Sequence, residues 1–93
     1  MYIVVAYDIT SDRRRNKIVN ILKDFGGKRV NFSVFECEIE KEKYPGLKSE
    51  INAIINKKKD RVLFYHLCLT CRQNKDFLGR KIDYQEEPNI IKV

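Results

Sequence analysis

Twice in this chain a strand-like run gives way to a helix-like run, and that order constrains the fold more than any other feature. Tyr2 to Tyr7 is β-branched and aromatic, apolar nearly throughout, and reads as a strand buried on both faces. Behind it, Ser11 or Asp12 caps a helix in which Ile18, Ile21, Leu22 and Phe25 recur at i, i+3, i+4 and i+7. Gly26-Gly27 ends that helix, because glycine accepts the left-handed conformation of a C-cap. A second strand-like region, Arg29 to Ile39, shifts its alternation near Ser33-Val34-Phe35. That shift predicts either two strands joined by a tight bend or one bulged strand. A second helix is expected from about Glu42 to Lys57, with Tyr44, Leu47, Ile51, Ile54 and Ile55 on one face and Pro45 in its first turn. Lys57-Lys58-Lys59 then falls at its C-terminus, where the helix dipole favours cations. Arg61 to Leu69 is the last strand of this series.

Strand, helix, strand, strand, helix, strand is the split βαβ or ferredoxin-like pattern of the α+β class, an antiparallel sheet with both helices on one face. At 93 residues the chain is read as a single domain, 1–93, whose core is adequate but modest, so pairing with a second copy is a natural way to bury more surface. After a polar stretch from Thr70 to Lys75, the segment of about 79–93 ends Asn89-Ile90-Ile91-Lys92-Val93. It is too short and too amphipathic for its own core, and is expected to add an extra C-terminal strand to its own sheet or to a partner's. No apolar run approaches the ~18 residues of a membrane span and no secretory leader is visible, so a cytoplasmic location is expected.

Charge narrows the function classes. The formal net charge is +6, and the cations cluster at Arg13-Arg14-Arg15, Lys28-Arg29, Lys57-Lys58-Lys59 with Arg61, and Arg80-Lys81, which points to a polyanion partner. Phosphate-cradling glycine loops, dinucleotide fingerprints and paired-histidine zinc motifs are absent from the sequence. Ser33-Val34-Phe35-Glu36-Cys37 does not match the strand on which RNA-recognition modules stack bases. His66, the one histidine, is read as structural within its strand, and Ser33 as satisfying backbone groups at a bend. Cys68-x-x-Cys71 has half the spacing of a zinc site but nothing to complete it. The expectation is a buried Cys68 near a strand end and a loop Cys71, with no disulfide.

Asp8 is the remaining candidate for chemistry. It is the only acid among the first ten residues, and it stands where the first apolar run stops, just before the basic helix start. Arg13, Arg14, Arg15 and Lys17 crowd the helix turns where the macrodipole disfavours cations, a local conflict that tends to persist where function needs it. A carboxylate holds a divalent metal and arginines hold phosphates. Mg²⁺ often takes only one or two carboxylates and completes its octahedron with waters and phosphate oxygens. If two copies bring their Asp8 ends together about a two-fold axis, one cation sits between two carboxylates and the site exists only in the dimer.

Val5-Ala6-Tyr7-Asp8-Ile9, Arg13-Arg14-Arg15-Asn16-Lys17, Gly26, Arg29-Val30-Asn31-Phe32-Ser33-Val34-Phe35-Glu36 and Asp60-Arg61-Val62-Leu63-Phe64-Tyr65 together resemble the CRISPR-associated endoribonuclease family known as Cas two. The resemblance runs in order over about the first 80 residues. It implies a ferredoxin-like protomer in a symmetric homodimer, with the C-terminal strand helping to complete the sheet at the dimer interface. Asp8 matches the proposed ligand of Mg²⁺ (or Mn²⁺). Arg15, Lys17, Arg29 and Phe35 match positions implicated in activity or substrate contact, with Tyr7 and Ser33 beside them. The implied activity is metal-dependent endonuclease cleavage of single-stranded RNA or double-stranded DNA. The implied role is that of a dimeric bridge for spacer integration with the Cas-one integrase, in which Arg13, Arg14, Arg15, Lys17 and Arg29 contact nucleic acid. A non-catalytic duplex-binding scaffold and a VapD-like toxin ribonuclease are the alternatives. The chain departs from the family at Asn31, commonly glutamine, and at Phe32, often tyrosine.

Overall fold

A computed structural model of the chain describes residues 1–74, 76 and 78. Strand β1 (Tyr2–Asp8) leads to helix α1 (Asp12–Asp24), then strands β2 (Gly27–Asn31) and β3 (Val34–Glu38). A 3-10 turn at Lys41–Lys43 opens helix α2 (Tyr44–Ile54), and strand β4 (Arg61–Leu67) is followed by a short helix α3 (Leu69–Gln73). The four strands form one antiparallel sheet in the order β2-β3-β1-β4, which is the expected ferredoxin-like α+β architecture. The segment of about 79–93, expected as an extra strand, lies outside the described residues.

Alternation along β1 decides what the sheet faces. Ile3, Val5 and Tyr7 point to the helices with Phe35 and Cys37 of β3, and Ile18, Leu22, Leu47 and Ile51 close the core from above. Each fully buried Ile, Leu or Phe contributes about 1.5–3 kcal/mol. Ser11 caps α1, its hydroxyl accepting the Arg14 N–H at 3.3 Å. At the other end the chain turns back through Gly26, whose φ of +86° few side chains tolerate, and Gly27. A Cβ on Gly27 would stand 2.6 Å from the Leu22 carbonyl oxygen, so helix and strand approach this closely only over glycine.

The structure refines or corrects several expectations. β1 is not buried on both faces: Tyr2, Val4 and Ala6 are only half-buried, because nothing among the described residues covers the second face as the helices cover the first. The region Arg29 to Ile39 combines the two alternatives posed for it. β2 and β3 form a hairpin around Phe32-Ser33, and a register shift between Arg29 and Asn31 bulges β2. Helix α2 stops at Ile54 rather than near Lys57, since the Asn56 N–H donates to the Asp60 carboxylate at 2.8 Å and the chain leaves the helix for a turn. Lys57-Lys58-Lys59 thus occupies that turn, not a helix end. β4 stops at Leu67, and the stretch expected to be loop contains α3. Its N-cap is Cys68, exposed rather than buried, and its helical residues include Cys71. His66 lies within β4 as expected but is exposed, with Nε2 3.2 Å from the Tyr44 hydroxyl and its ring edge-on to Tyr44.

Candidate metal and nucleic-acid site

Asp8 closes β1 opposite Arg61 of β4, and period-2 alternation puts its side chain on the face away from the helices. The carboxylate is exposed, and no donor reaches it among the described residues. The layer beneath is tightly tied. The Tyr7 N–H donates to the Ser33 carbonyl at 3.0 Å and the Tyr7 hydroxyl to the Phe32 carbonyl at 2.9 Å, so the β2–β3 turn is held against the strand residue preceding Asp8. Arg29 Nη2 donates to the Tyr7 hydroxyl at 3.4 Å, and its guanidinium lies 5.7 Å from the centre of the buried Phe35 ring. Tyr7 and Phe35 pack with ring centroids 6.3 Å apart. Tyr7, Arg29, Ser33 and Phe35 therefore form one supporting cluster behind Asp8, with Phe35 wholly inside the core.

The basic helix start divides into unlike parts. Arg14 is committed to the fold: its Nε and Nη2 donate to Asp60 at 2.6 and 3.0 Å, and Nη2 also donates to Thr10 Oγ1 at 3.0 Å. Asp60, with its side chain wholly covered, also accepts the Thr10 N–H and hydroxyl and the Asn56 N–H. Hydrogen bonding to Arg14, reinforced by these other donors, holds the Asp60 carboxyl well below the usual carboxylate range and raises Arg14. Arg15 donates to the Ile9 carbonyl at 2.8 Å and pairs with Asp12 in the first helical turn, which eases the dipole conflict. Arg13 and Lys17 are exposed and make no ion pair among the described residues. Asp60 is the residue sequence reasoning passed over, since its partners at Thr10 and Arg14 lie 50 and 46 positions away.

One protomer offers a hard cation a single carboxylate. No group of three or more His, Cys, Asp or Glu side chains gathers among the described residues. An exposed oxygen donor without competing hydrogen bonds fits Mg²⁺ or Mn²⁺, provided waters, phosphate or a second carboxylate fill the remaining positions. The face that carries Asp8 supplies a reason for a second copy. Val4, Ala6, Val34, Leu63, Tyr65 and Leu67 share it, with Leu63 37% and Tyr65 54% exposed, where a solvated sheet face would ordinarily be polar.

The model of the family described as CRISPR associated protein Cas2 matches residues 1–75. CRISPR-associated endoribonuclease Cas2 1 of Chloroflexus aurantiacus is 39% identical over 80 residues, spanning 85% of each chain. A CRISPR-associated endoribonuclease Cas2 of Nitratidesulfovibrio vulgaris is 30% identical and covers 98% of this chain and 93% of its own length. Of solved structures, Streptococcus pyogenes Cas2 superposes with a TM-score of 0.77 at 28% identity, over 85% of this chain and 100% of that one. Hypothetical protein TT1823 from Thermus thermophilus gives 0.76 at 31% identity, over 87% and 93%. Sequence match and backbone agree over the segment that holds Asp8, the basic helix start and the hairpin beneath them, and the chain belongs to the CRISPR-associated Cas2 family.

Proposed function

We propose that two copies of this chain pair through their open sheet faces to form a metal-dependent endonuclease of CRISPR adaptation, acting on single-stranded RNA or double-stranded DNA in the cytoplasm. The observation that carries the reading is Asp8: an exposed carboxylate with no donor of its own among the described residues, at the margin of an apolar face and beside a basic helix start. Pairing by those faces covers Leu63 and Tyr65 and brings the Asp8 margins of both copies toward the symmetry axis. A Mg²⁺ or Mn²⁺ ion held there supplies Lewis-acid stabilisation of phosphate charge and lowers the pKa of a bound water. The chain's own groups do the rest. Asp8 binds the ion, Tyr7 and Ser33 fix the backbone on which Asp8 stands, Arg29 steadies the Tyr7 hydroxyl, and Arg13 and Lys17 hold the phosphates.

The test is cleavage of labelled RNA and duplex DNA by wild type and Asp8→Asn, in Mg²⁺ and in chelator, with mass and assembly checked by sedimentation. The expected result is metal-dependent cleavage that Asp8→Asn loses while remaining paired; equal cleavage in the variant or in chelator rejects the reading. Leu63→Glu places a charge at the centre of the face and is expected to give monomers. Retention of the dimer in that variant would remove the face from the interface.

A second role is compatible with the first and rests on a separate observation. Arg13, Lys17, Lys57, Lys58, Lys59 and Arg61 are exposed and without ion pairs among the described residues, a surface suited to a duplex backbone. In that role the dimer bridges DNA for spacer integration by the Cas-one integrase.

A further inference from the structure

Cys68 and Cys71 have no part in the reading above. They lie at the opposite end of the sheet: Leu67, the last residue of β4, pairs with Tyr2, and Tyr2 is about 20 Å along β1 from Asp8 at roughly 3.3 Å per residue. Both thiols are exposed. Cys68 caps the first turn of α3, so its sulfur accepts the Cys71 N–H at 3.4 Å. The two cysteines therefore share one helical turn, with the Cys68 sulfur already directed at the backbone of Cys71.

We propose that Cys68 and Cys71 form a reversible dithiol–disulfide site, oxidised by low-molecular-weight disulfides. Cys68 is the attacking residue. The hydrogen bonds from Cys71 favour its thiolate and lower its pKa, while the same pairing raises that of Cys71. The Cys68 thiolate attacks one sulfur of the small disulfide, whose S–S bond breaks, and the first small thiolate leaves and takes up a proton. Cys71 gives its proton to solvent and attacks the Cys68 sulfur of the mixed disulfide, and the second small thiolate leaves. Two protein thiols are oxidised by two electrons, and one small disulfide is reduced to two thiols.

The chain contains its own control. Cys37 is buried in the core, its thiol 3.4 Å from the Phe25 carbonyl, and burial pushes its pKa up, so it stays reduced under native conditions. The new bond also has a structural consequence. Arg72, the residue that follows Cys71, donates to Glu38 at 2.8 and 3.3 Å and lies 4.4 Å over the Tyr2 ring. Oxidation cross-links the turn immediately before this contact, which reaches the start of β1 and the end of β3.

The full-length protein, reduced and freed of metal, is incubated under native conditions with excess oxidised glutathione, then denatured and its thiols counted. The expected count falls from three to one, the intact mass shows the loss of two hydrogens and no retained glutathione, and peptide mapping joins residue 68 to residue 71. Cys71→Ser is expected to accumulate glutathione on Cys68, and Cys68→Ser to abolish the oxidation. A count that stays at three, glutathione retained on wild type, or a disulfide between chains overturns the proposal. So does protein purified without chelator in which bound zinc occupies both thiols. Nuclease assays take no part in these readouts, so failure here and failure at Asp8 are separate results.

Discussion

Asp8 and Asp60 are two carboxylates at the same end of one sheet, and their surroundings are opposite. Asp60 adjoins Arg61, the residue that faces Asp8 across the β1–β4 ladder. Yet Asp60 is covered and accepts from Thr10, Arg14 and Asn56, whereas Asp8 is exposed and accepts from no described residue. A saturated carboxylate holds the chain in place; an open one is left for a ligand. The contrast gives architecture to Asp60 and leaves Asp8 open for the chemistry proposed above, and it splits the neighbouring arginines in the same way.

The largest expected effect follows from exchanging each acid for its amide. Asp8→Asn keeps size and loses charge at an exposed site, so melting temperature should hold within a few degrees while metal-dependent cleavage falls on the order of 100-fold or more. Asp60→Asn should do the reverse, with a melting temperature lower by on the order of 10 °C and cleavage by the remaining folded protein little changed. If Asp60→Asn abolished cleavage at full stability, or Asp8→Asn unfolded the chain, the division would be wrong.

Acid sharpens the same contrast. The folded-state pKa of Asp60 is depressed, chiefly by hydrogen bonding to Arg14, so its contribution to stability is fully present above the unfolded carboxylate value of about 4. It is lost as pH falls below that value toward the folded one. Wild type should therefore lose melting temperature steadily from about pH 5 downward, and Asp60→Asn should lack much of that slope. Thermal melts at stepped pH measure it, and parallel slopes in the two proteins would contradict the role given to Asp60.

What the sequence exposed and what it concealed divides along a related line. β1, α1 and the hairpin were legible because each depends on neighbours within a few positions: alternation, an i, i+4 stripe, a capping serine, a glycine pair. The place of Asp8 at the end of β1 was legible because an acid ending an apolar strand is visible locally. The Asp60 network was not, since Thr10 and Arg14 reach it across the fold. The same network explains the misplaced end of α2. Ile54 and Ile55 continue the apolar stripe without a glycine or proline stop, and only the pull of Asp60 on the Asn56 N–H shows where the helix yields to a turn. The exposure of Cys68 was hidden for the same reason. Leu69 extends the apolar pattern of β4, but the chain has already turned into α3, where Leu69 is 64% exposed.

The arginines give the smallest expected effect and the finest test. Arg13 and Arg14 are adjacent in sequence and identical in charge, so an account based on net charge predicts equal losses of nucleic-acid affinity when either is replaced. Their contacts predict otherwise. Arg13 is exposed and unpaired among the described residues, whereas Arg14 already neutralises Asp60. Removing one phosphate contact lowers the slope of log affinity against log salt by about one unit for duplex DNA. Arg13→Ala and Lys17→Ala should each flatten the slope by about that amount at unchanged stability. Arg14→Ala should leave the slope nearly intact and lower the melting temperature, because it strips the main donor from a covered carboxylate. Binding isotherms at several salt concentrations, paired with melts of the same preparations, separate the two accounts. Equal slopes for Arg13→Ala and Arg14→Ala would show that the protein uses this helix start as undivided charge.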